Sequence, residues 1–165
     1  RLLVDDGRYV IILVHRVRHV QLLSRLLKNV PHRLVYGVKG VQQRLVAKNR
    51  FEEGKIRLLI ANQVFKKGVD IKRLDAIIDG AGMQSKNDAL QKFGRGVRKH
   101  KKKSLLWYFD LADTDVQNKK NRYQKAAGKR KRAFKKAGIE VKDYRWETEG
   151  TKKLYRQAKI WLNKR

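Results

Sequence analysis

The run of apolar and β-branched residues from Tyr9 to Val14 constrains the fold more than any other part of the sequence. No charged side chain interrupts this run, so a strand formed by it would be apolar on both faces. Strands that are buried on both faces are typical of parallel sheets, which are covered by helices on each side. The sequence therefore predicts an α/β fold built on a mainly parallel sheet.

Segments with strand and helix character alternate along the chain, which is the order expected of an open α/β layer structure. Apolar residues at helical spacing predict helices over 17–27 and 41–51, and Gly54 is a candidate C-terminal cap for the second helix. Further elements are predicted as strands at Leu34–Tyr36, Ile56–Ala61, Ala76–Ile78 and Ser104–Phe109, and as a helix from Ser85 into Gln91. Such sheets bind ligands at the carboxyl ends of their strands, so the turn after the third strand and the loop around Gly94 are candidate binding regions.

The chain is extremely basic, with 43 Lys and Arg residues against 15 Asp and Glu residues and a net charge of +28. This charge favours polyanionic partners, of which nucleic acid is the first candidate and an anionic membrane surface the second. The longest apolar run is too short to span a bilayer, and we expect no membrane partner. Cysteine is absent, which excludes disulfides and cysteine-based zinc sites and fits an intracellular, cytoplasmic protein. The histidines have no ligand spacing, so no metal site is predicted.

The composition changes near Asp113, and we predict a sheet domain over 1–113 followed by a basic, mostly helical extension over 114–165. From Gln117 to Arg165 the sequence contains 18 Lys and Arg residues and 4 Asp and Glu residues. The elements predicted in the extension are a helix from Val116 to Lys136, a stop at Gly138, a short strand at Ile139–Val141 and a helix from Thr151.

Basic residues cluster in the predicted helix of the extension at Arg130, Lys131 and Arg132, and aromatic residues lie nearby in the sequence. Phosphate-binding charge next to rings that stack on bases is typical of nucleic-acid-binding segments, and we predict that these three residues bind nucleic acid. The alternative is a solvated, charged helix whose rings pack on the sheet domain.

The run Gln91-Lys92-Phe93-Gly94-Arg95-Gly96-Val97-Arg98 has the pattern Q-x-x-G-R-x-x-R. Arginine is always protonated and donates hydrogen bonds in a fork, so it stabilises the charge that develops on a transferring γ-phosphoryl group. A spacing of three residues places Arg95 and Arg98 on one face of a helix, and Gly94 lets the backbone approach a ligand closely. The alternative is that both arginines are ordinary surface charges.

A second run, Gly68-Val69-Asp70-Ile71, follows the turn after the third predicted strand. The carboxylate of Asp70 can accept hydrogen bonds from ribose hydroxyls. It could instead be a turn aspartate that fixes its own loop.

Together these two runs resemble the last two conserved motifs of superfamily 2 helicases, which lie in the second of two paired RecA-like domains. The resemblance covers about Tyr9 to Phe109 and implies a three-layer RecA-like fold. It implies that Arg95 and Arg98 are arginine fingers for a nucleotide bound to the first domain, and that Gly68, Asp70 and Gln91 contact this nucleotide. The family often has a second basic residue directly after the glutamine, and here this residue is Lys92. Lysine keeps the charge but lacks the fork of arginine, so we assign Lys92 no catalytic role.

The resemblance also implies a nucleic-acid-binding track along the loops that follow the strands. The residues that it places there are His15, Arg16, Gly37, Lys39, Asn62 and Gln63. Asn62 stands where the family usually has threonine. The alternatives are a structural role for His15 and a solvated loop at Gly37 and Lys39.

Two motifs that a complete helicase motor needs, the phosphate loop G-x-x-x-x-G-K-[ST] and the run D-E-x-[DH], do not occur in this sequence. The resemblance therefore implies that ATP and Mg²⁺ are held mainly by an N-terminal RecA-like domain elsewhere in a longer parent chain. We expect the parent to be an ATP-dependent helicase or translocase with DNA favoured over RNA, and this chain alone to hydrolyse no ATP at a useful rate. The alternatives are a non-enzymatic basic nucleic-acid-binding module and a basic protein that docks on an acidic partner or membrane surface.

Overall fold

The computed structural model describes residues 1–37, 40–62, 71–82, 89–91, 93–94, 106–111 and 122–143. Its strands are β1 (Val10–Leu13), β2 (Arg33–Val35), β3 (Leu58–Ala61), β4 (Ala76–Asp79) and β5 (Trp107–Asp110). Its helices are α1 (Leu2–Asp5), α2 (Val17–Leu26), α3 (Val41–Glu52) and α4 (Arg122–Lys136). Residues 89–91 and 93–94 are also helical.

The strands form a five-stranded sheet in the order β2-β3-β1-β4-β5, and every neighbouring pair is parallel. The central strand is β1, in which Val10 aligns with Leu58 of β3 on one side and with Ala76 of β4 on the other. The prediction of a parallel sheet is therefore confirmed, and the most apolar run forms the middle strand of the sheet.

The two faces of β1 contribute to two separate apolar layers, which explains why the run Tyr9 to Val14 contains no charged residue. Ile11 and Leu13 belong to the layer under α3, which includes Phe51. Val10 and Val14 belong to the layer that contains Leu3 of α1 and Val20 of α2. Helices thus cover both sides of the sheet, as the predicted three-layer arrangement requires.

The helix α3 ends at a glycine whose conformation other residues rarely adopt. Gly54 has a φ of 81°, and its N–H donates a hydrogen bond to the carbonyl oxygen of Phe51 at 3.1 Å. A Cβ atom at this position would lie 2.8 Å from the hydroxyl oxygen of Tyr9 and would also collide with the guanidinium of Arg73. The predicted C-terminal cap is confirmed, and the positive φ together with the close side-chain contacts favours glycine there.

The end of α4 was predicted only in part. Gly138, with a φ of 73°, ends the helix as predicted. Its N–H donates to the carbonyl of Lys135 and the N–H of Ile139 donates to that of Phe134, which is the hydrogen-bond pattern of a Schellman motif. The strand predicted at Ile139–Val141 is wrong, because no strand forms there and the amide of Ile139 closes the helix instead.

Other elements differ from the predictions at their ends. The short helix α1, which buries Leu3, was not predicted. The predicted start of α4 at Val116 and the helix from Thr151 lie outside the described residues, as does most of the predicted stretch from Ser85 to Gln91. Within the described part of the chain, no helix has the length and apolar character needed to cross a membrane.

Replacing Gly54 by alanine is expected to lower the free energy of unfolding by about 2 kcal/mol, because the positive φ and the crowded Cβ position both add strain. The measurement is equilibrium unfolding in urea. Gly128→Ala provides a control of opposite sign, since Gly128 lies inside α4 and the described side chain nearest its Cβ position is the flexible end of Arg132, at an ordinary contact distance of 3.8 Å. Alanine should raise helix stability there by up to about 1 kcal/mol. Equal effects of the two variants would contradict this account of Gly54.

Candidate nucleotide and nucleic-acid interface

The parallel sheet brings several predicted site residues to one edge, where the carboxyl ends of the strands meet. His15 and Arg16 follow β1 and are exposed, and Gly37 follows β2 and is exposed. Asn62 follows β3, and its backbone N–H donates to the carbonyl of Val35 at 3.1 Å, which extends the pairing with β2. These four residues therefore lie along the edge at which such sheets bind ligands.

Arginines of α2 enlarge the basic surface beside His15. A surface cavity of about 510 Å³ is lined by Arg16, Arg18, His19, Gln21, Leu22 and Arg25. Sequence reasoning identified only Arg16 of this group. The signal that could have found the others is the spacing of Arg18, Leu22 and Arg25, which places them on one face of a helix whose opposite face buries Val20.

The helical residues at the start of the Q-x-x-G-R-x-x-R run are packed through one face. Ala89 is fully buried, and Phe93 makes edge-on ring contacts with Tyr108, at 6.2 Å between centroids, and with Phe134, at 5.9 Å. Gln91 and Gly94 are exposed, and apart from its own chain neighbours and helix backbone no described residue has a heavy atom within 4 Å of a Cβ position built on Gly94. The run thus begins on a packed helix that leaves Gln91 and the backbone of Gly94 accessible to a ligand.

Six of the predicted site residues cannot be placed in this geometry. Arg95, Arg98, Gly68, Asp70, Lys39 and Gln63 lie outside the described residues. Their predicted roles remain predictions.

A buried polar cluster joins α4 to the carboxyl ends of β4 and β5. The Nε and Nη2 atoms of Arg130 donate to the two carboxylate oxygens of Asp110 at 2.9 and 2.8 Å, and Nη1 donates to the carbonyl of Gly82 at 2.6 Å. The hydroxyl of Tyr108 donates to Asp79 at 2.6 Å, and Asp79 also accepts the backbone N–H of Ala81 at 3.1 Å. The cluster therefore ties three separate segments of the chain together.

Burial and neighbouring charges together determine the protonation states in this cluster. Burial raises the pKa of the Tyr108 hydroxyl, and the negative charge of Asp79 raises this pKa further, so Tyr108 stays a neutral hydrogen-bond donor. Burial alone would lower the pKa of Arg130, but the hydrogen bonds and charge of Asp110 outweigh it and raise the pKa. The cluster thus holds a permanent arginine–aspartate ion pair.

The predicted nucleic-acid contacts of the basic cluster need a correction at Arg130. Its side chain is 2% exposed and its donors are used by Asp110 and Gly82, so the structure does not support a contact with phosphate. Lys131 is paired with Asp143, whereas Arg132 is exposed. Phe134 is buried against Phe93 and Tyr108, which favours the alternative in which this ring packs on the sheet domain. The predicted domain boundary at residue 113 stays a prediction.

Comparison with known proteins assigns the chain to a family. The family model described as "Helicase conserved C-terminal domain" matches residues 1–100, more than half of the chain. The chain belongs to this helicase C-terminal domain family. The resemblance to the second RecA-like domain of superfamily 2 helicases is therefore confirmed.

The similar curated proteins include a DNA helicase and RNA helicases. The chain is 30% identical over 113 residues to the ATP-dependent DNA helicase uvsW of Enterobacteria phage T4, covering 67% of this chain and 22% of the relative. It is 31% identical over 96 residues to DEAD-box ATP-dependent RNA helicase 36 of Oryza sativa subsp. japonica, covering 57% and 19%. The chain thus spans about a fifth of the length of these relatives, and the comparison supports no preference for DNA over RNA.

A solved structure confirms the fold of this helicase C-terminal domain. Dbp5 of S. cerevisiae, determined with RNA and ADP BeF3, superposes with a TM-score of 0.59 at 19% identity, over 77% of this chain and 32% of that chain. At this identity the likeness establishes the RecA-like fold alone.

Replacing Arg130 by methionine is expected to destabilise the domain by about 3 kcal/mol, because Asp110 and the carbonyl of Gly82 then lose a buried charged partner. The matched control is Arg132→Met, which makes the same chemical change two residues further along α4 at an exposed position. This control should change the free energy of unfolding by less than about 0.5 kcal/mol. Thermal or urea unfolding measures both, and equal losses would contradict a structural role for Arg130.

Proposed function

We propose that this chain is the C-terminal half of an ATP-dependent nucleic-acid helicase or translocase, in which it supplies arginine fingers and part of the nucleic-acid track. The observation that carries this proposal is that the family match over residues 1–100 contains the whole Q-x-x-G-R-x-x-R run. The exposure of Gln91 and Gly94 supports it, because the start of the run is accessible to a nucleotide held by another domain.

The proposed chemical role of the run is electrostatic. Arg95 and Arg98 would direct their guanidinium groups at the γ-phosphoryl group and stabilise the charge that its oxygens develop during transfer. Gly94 and Gln91 would contact the nucleotide, together with Gly68 and with Asp70 at the ribose. ATP with Mg²⁺ supplies the phosphoryl group, and the partner domain with the phosphate loop would hold most of it.

The proposed track lies along the carboxyl edge of the sheet. His15, Arg16, Gly37 and Asn62 occupy this edge, and the predicted contacts of Lys39 and Gln63 would extend it. Arg18 and Arg25 of α2 add positive charge next to Arg16. Exposed cations and loop backbones contact the phosphates of a nucleic-acid strand and position it without reading its base sequence. We therefore propose a nucleic acid as the substrate without choosing between DNA and RNA.

The proposed parent protein needs a second RecA-like domain, N-terminal to this one. The two helicase relatives are about five times longer than the region that this chain matches, which supports such a parent. Closure of the two domains on ATP would bring Arg95 and Arg98 to the γ-phosphate, and opening after hydrolysis would change the grip on the strand. The chain alone would bind nucleic acid and hydrolyse no ATP.

Arg95→Ala in the parent protein is expected to lower kcat for nucleic-acid-stimulated ATP hydrolysis about a thousandfold, because an arginine finger acts mainly in the transition state. Nucleic-acid binding, measured by fluorescence anisotropy, should be retained. The matched control is Lys92→Ala, which removes a neighbouring cation of the same run that has no proposed catalytic role. Full ATP hydrolysis by Arg95→Ala, or an equal loss in Lys92→Ala, would refute the finger role.

A further inference from the structure

The outward face of α4 carries a row of cations that the proposed function does not yet use. Lys125, Lys129, Arg132 and Lys136 follow one another at spacings of three or four residues, which places them on one face of the helix. All four are exposed. At 1.5 Å per residue this row, called here the α4 stripe, is about 16 Å long.

The opposite face of α4 fixes the direction in which the stripe points. Arg130 and Phe134 lie on that face, and both are buried. Arg130 is held by Asp110 and Gly82, while the ring of Phe134 lies 5.2 Å from that of Tyr108. Because these contacts prevent the helix from rolling on the sheet, the α4 stripe is presented to solvent in one orientation.

The charge of the α4 stripe is not neutralised within the described part of the chain. No acidic residue occurs in α4, and no ion pair of the described residues involves Lys125, Lys129, Arg132 or Lys136. The neighbouring cations Lys131 and Lys142 differ, since they pair with Asp143 and Glu140. Repulsion among four aligned cations is relieved by an anion with regularly repeated charges.

We propose that the α4 stripe binds the phosphate backbone of a nucleic-acid strand, as a binding surface additional to the track at the strand ends. Lysine predominates in it, and a lysine ammonium holds a phosphate as a point charge without the fork that reads a base edge. The buried ring of Phe134 is not available for stacking on bases. The contact is therefore independent of base sequence and strongly dependent on salt.

The position of α4 connects this surface to the track. Arg130 anchors the helix to Asp110 at the carboxyl end of β5 and to Gly82 beyond the carboxyl end of β4. The edge that carries His15, Arg16 and Asn62 therefore continues towards α4. The inference rests on the proposed function in one respect, because it takes a nucleic acid as the substrate of this domain.

The test measures binding of this chain to a fluorescent single-stranded oligonucleotide of mixed sequence, as RNA and as DNA, over a series of salt concentrations. Replacing Lys125, Lys129, Arg132 and Lys136 together by glutamine should weaken binding about tenfold or more near 0.1 M salt. The slope of log K against log salt concentration should become smaller in magnitude by up to about 3. Replacing the three lysines by arginine should retain binding, because the charge is kept.

The matched control removes the same number and kind of charges at the opposite, amino edge of the sheet. It replaces Lys28, Arg50, Lys55 and Lys72 by glutamine, all of which are exposed. Only Lys55 among them has an ion pair in the described part of the chain, an exposed contact with Glu53 that contributes little to stability. This control should weaken binding less than about threefold, since only the long-range effect of net charge is lost.

Several outcomes would overturn the proposal. Equal losses of affinity in the stripe variant and the control would mean that binding depends on the net charge of the chain and on no particular surface. Unchanged binding in the stripe variant would exclude the surface itself. If poly-glutamate bound to the stripe more tightly than the oligonucleotide does, an acidic polypeptide would be the better ligand. None of these outcomes depends on ATP hydrolysis, so a failure of the proposed motor function would show separately, in the activity of the parent protein.

Discussion

The parallel pairing of β1 with β3 and β4 is the constraint on which the rest of the structure depends. Because the three strands run in the same direction and in register from Val10, Leu58 and Ala76, the segments that follow them emerge at one edge. Residues distant in sequence, such as His15, Asn62 and Gly80, are thereby brought to neighbouring positions. The two apolar layers on either side of β1 hold this arrangement rigid, so that the loops at the edge can carry polar and charged residues without loss of the core.

The ion pair between Arg130 and Asp110 adds a second level of organisation, because it gives a basic helix two faces with different tasks. Of the basic residues in α4 whose side chains the structure describes, Arg130 is the buried one, and its fork matches the carboxylate of Asp110. The position of Arg130 orients α4 so that the ring of Phe134 packs against that of Phe93 and the side chains of Lys129 and Arg132 face the solvent. A helix that composition would describe as uniformly basic is thus divided into a packing face and an exposed cationic face, which is the surface proposed to bind nucleic acid.

The fold could be predicted from the sequence to a large extent, because an uninterrupted apolar run such as Tyr9 to Val14 indicates a strand that is buried on both faces. Gly54 was also predictable, since a helix that ends before a strand commonly needs a residue with positive φ. The role of Arg130 was not, because its partner Asp110 is twenty residues away and only the tertiary structure shows that they meet. The false strand at Ile139–Val141 arose because β-branched residues favour strands, whereas the Schellman motif after Gly138 uses the amide of Ile139.

The most direct test of the central claim, that this domain is one half of a two-domain motor, is ATP hydrolysis with and without the N-terminal RecA-like domain of the parent protein. The chain alone, saturated with a single-stranded oligonucleotide and supplied with ATP and Mg²⁺, should release no phosphate above the uncatalysed background. The two domains joined in one chain should hydrolyse ATP, and the oligonucleotide should stimulate the rate. Hydrolysis by the chain alone, or none by the joined protein, would contradict the account.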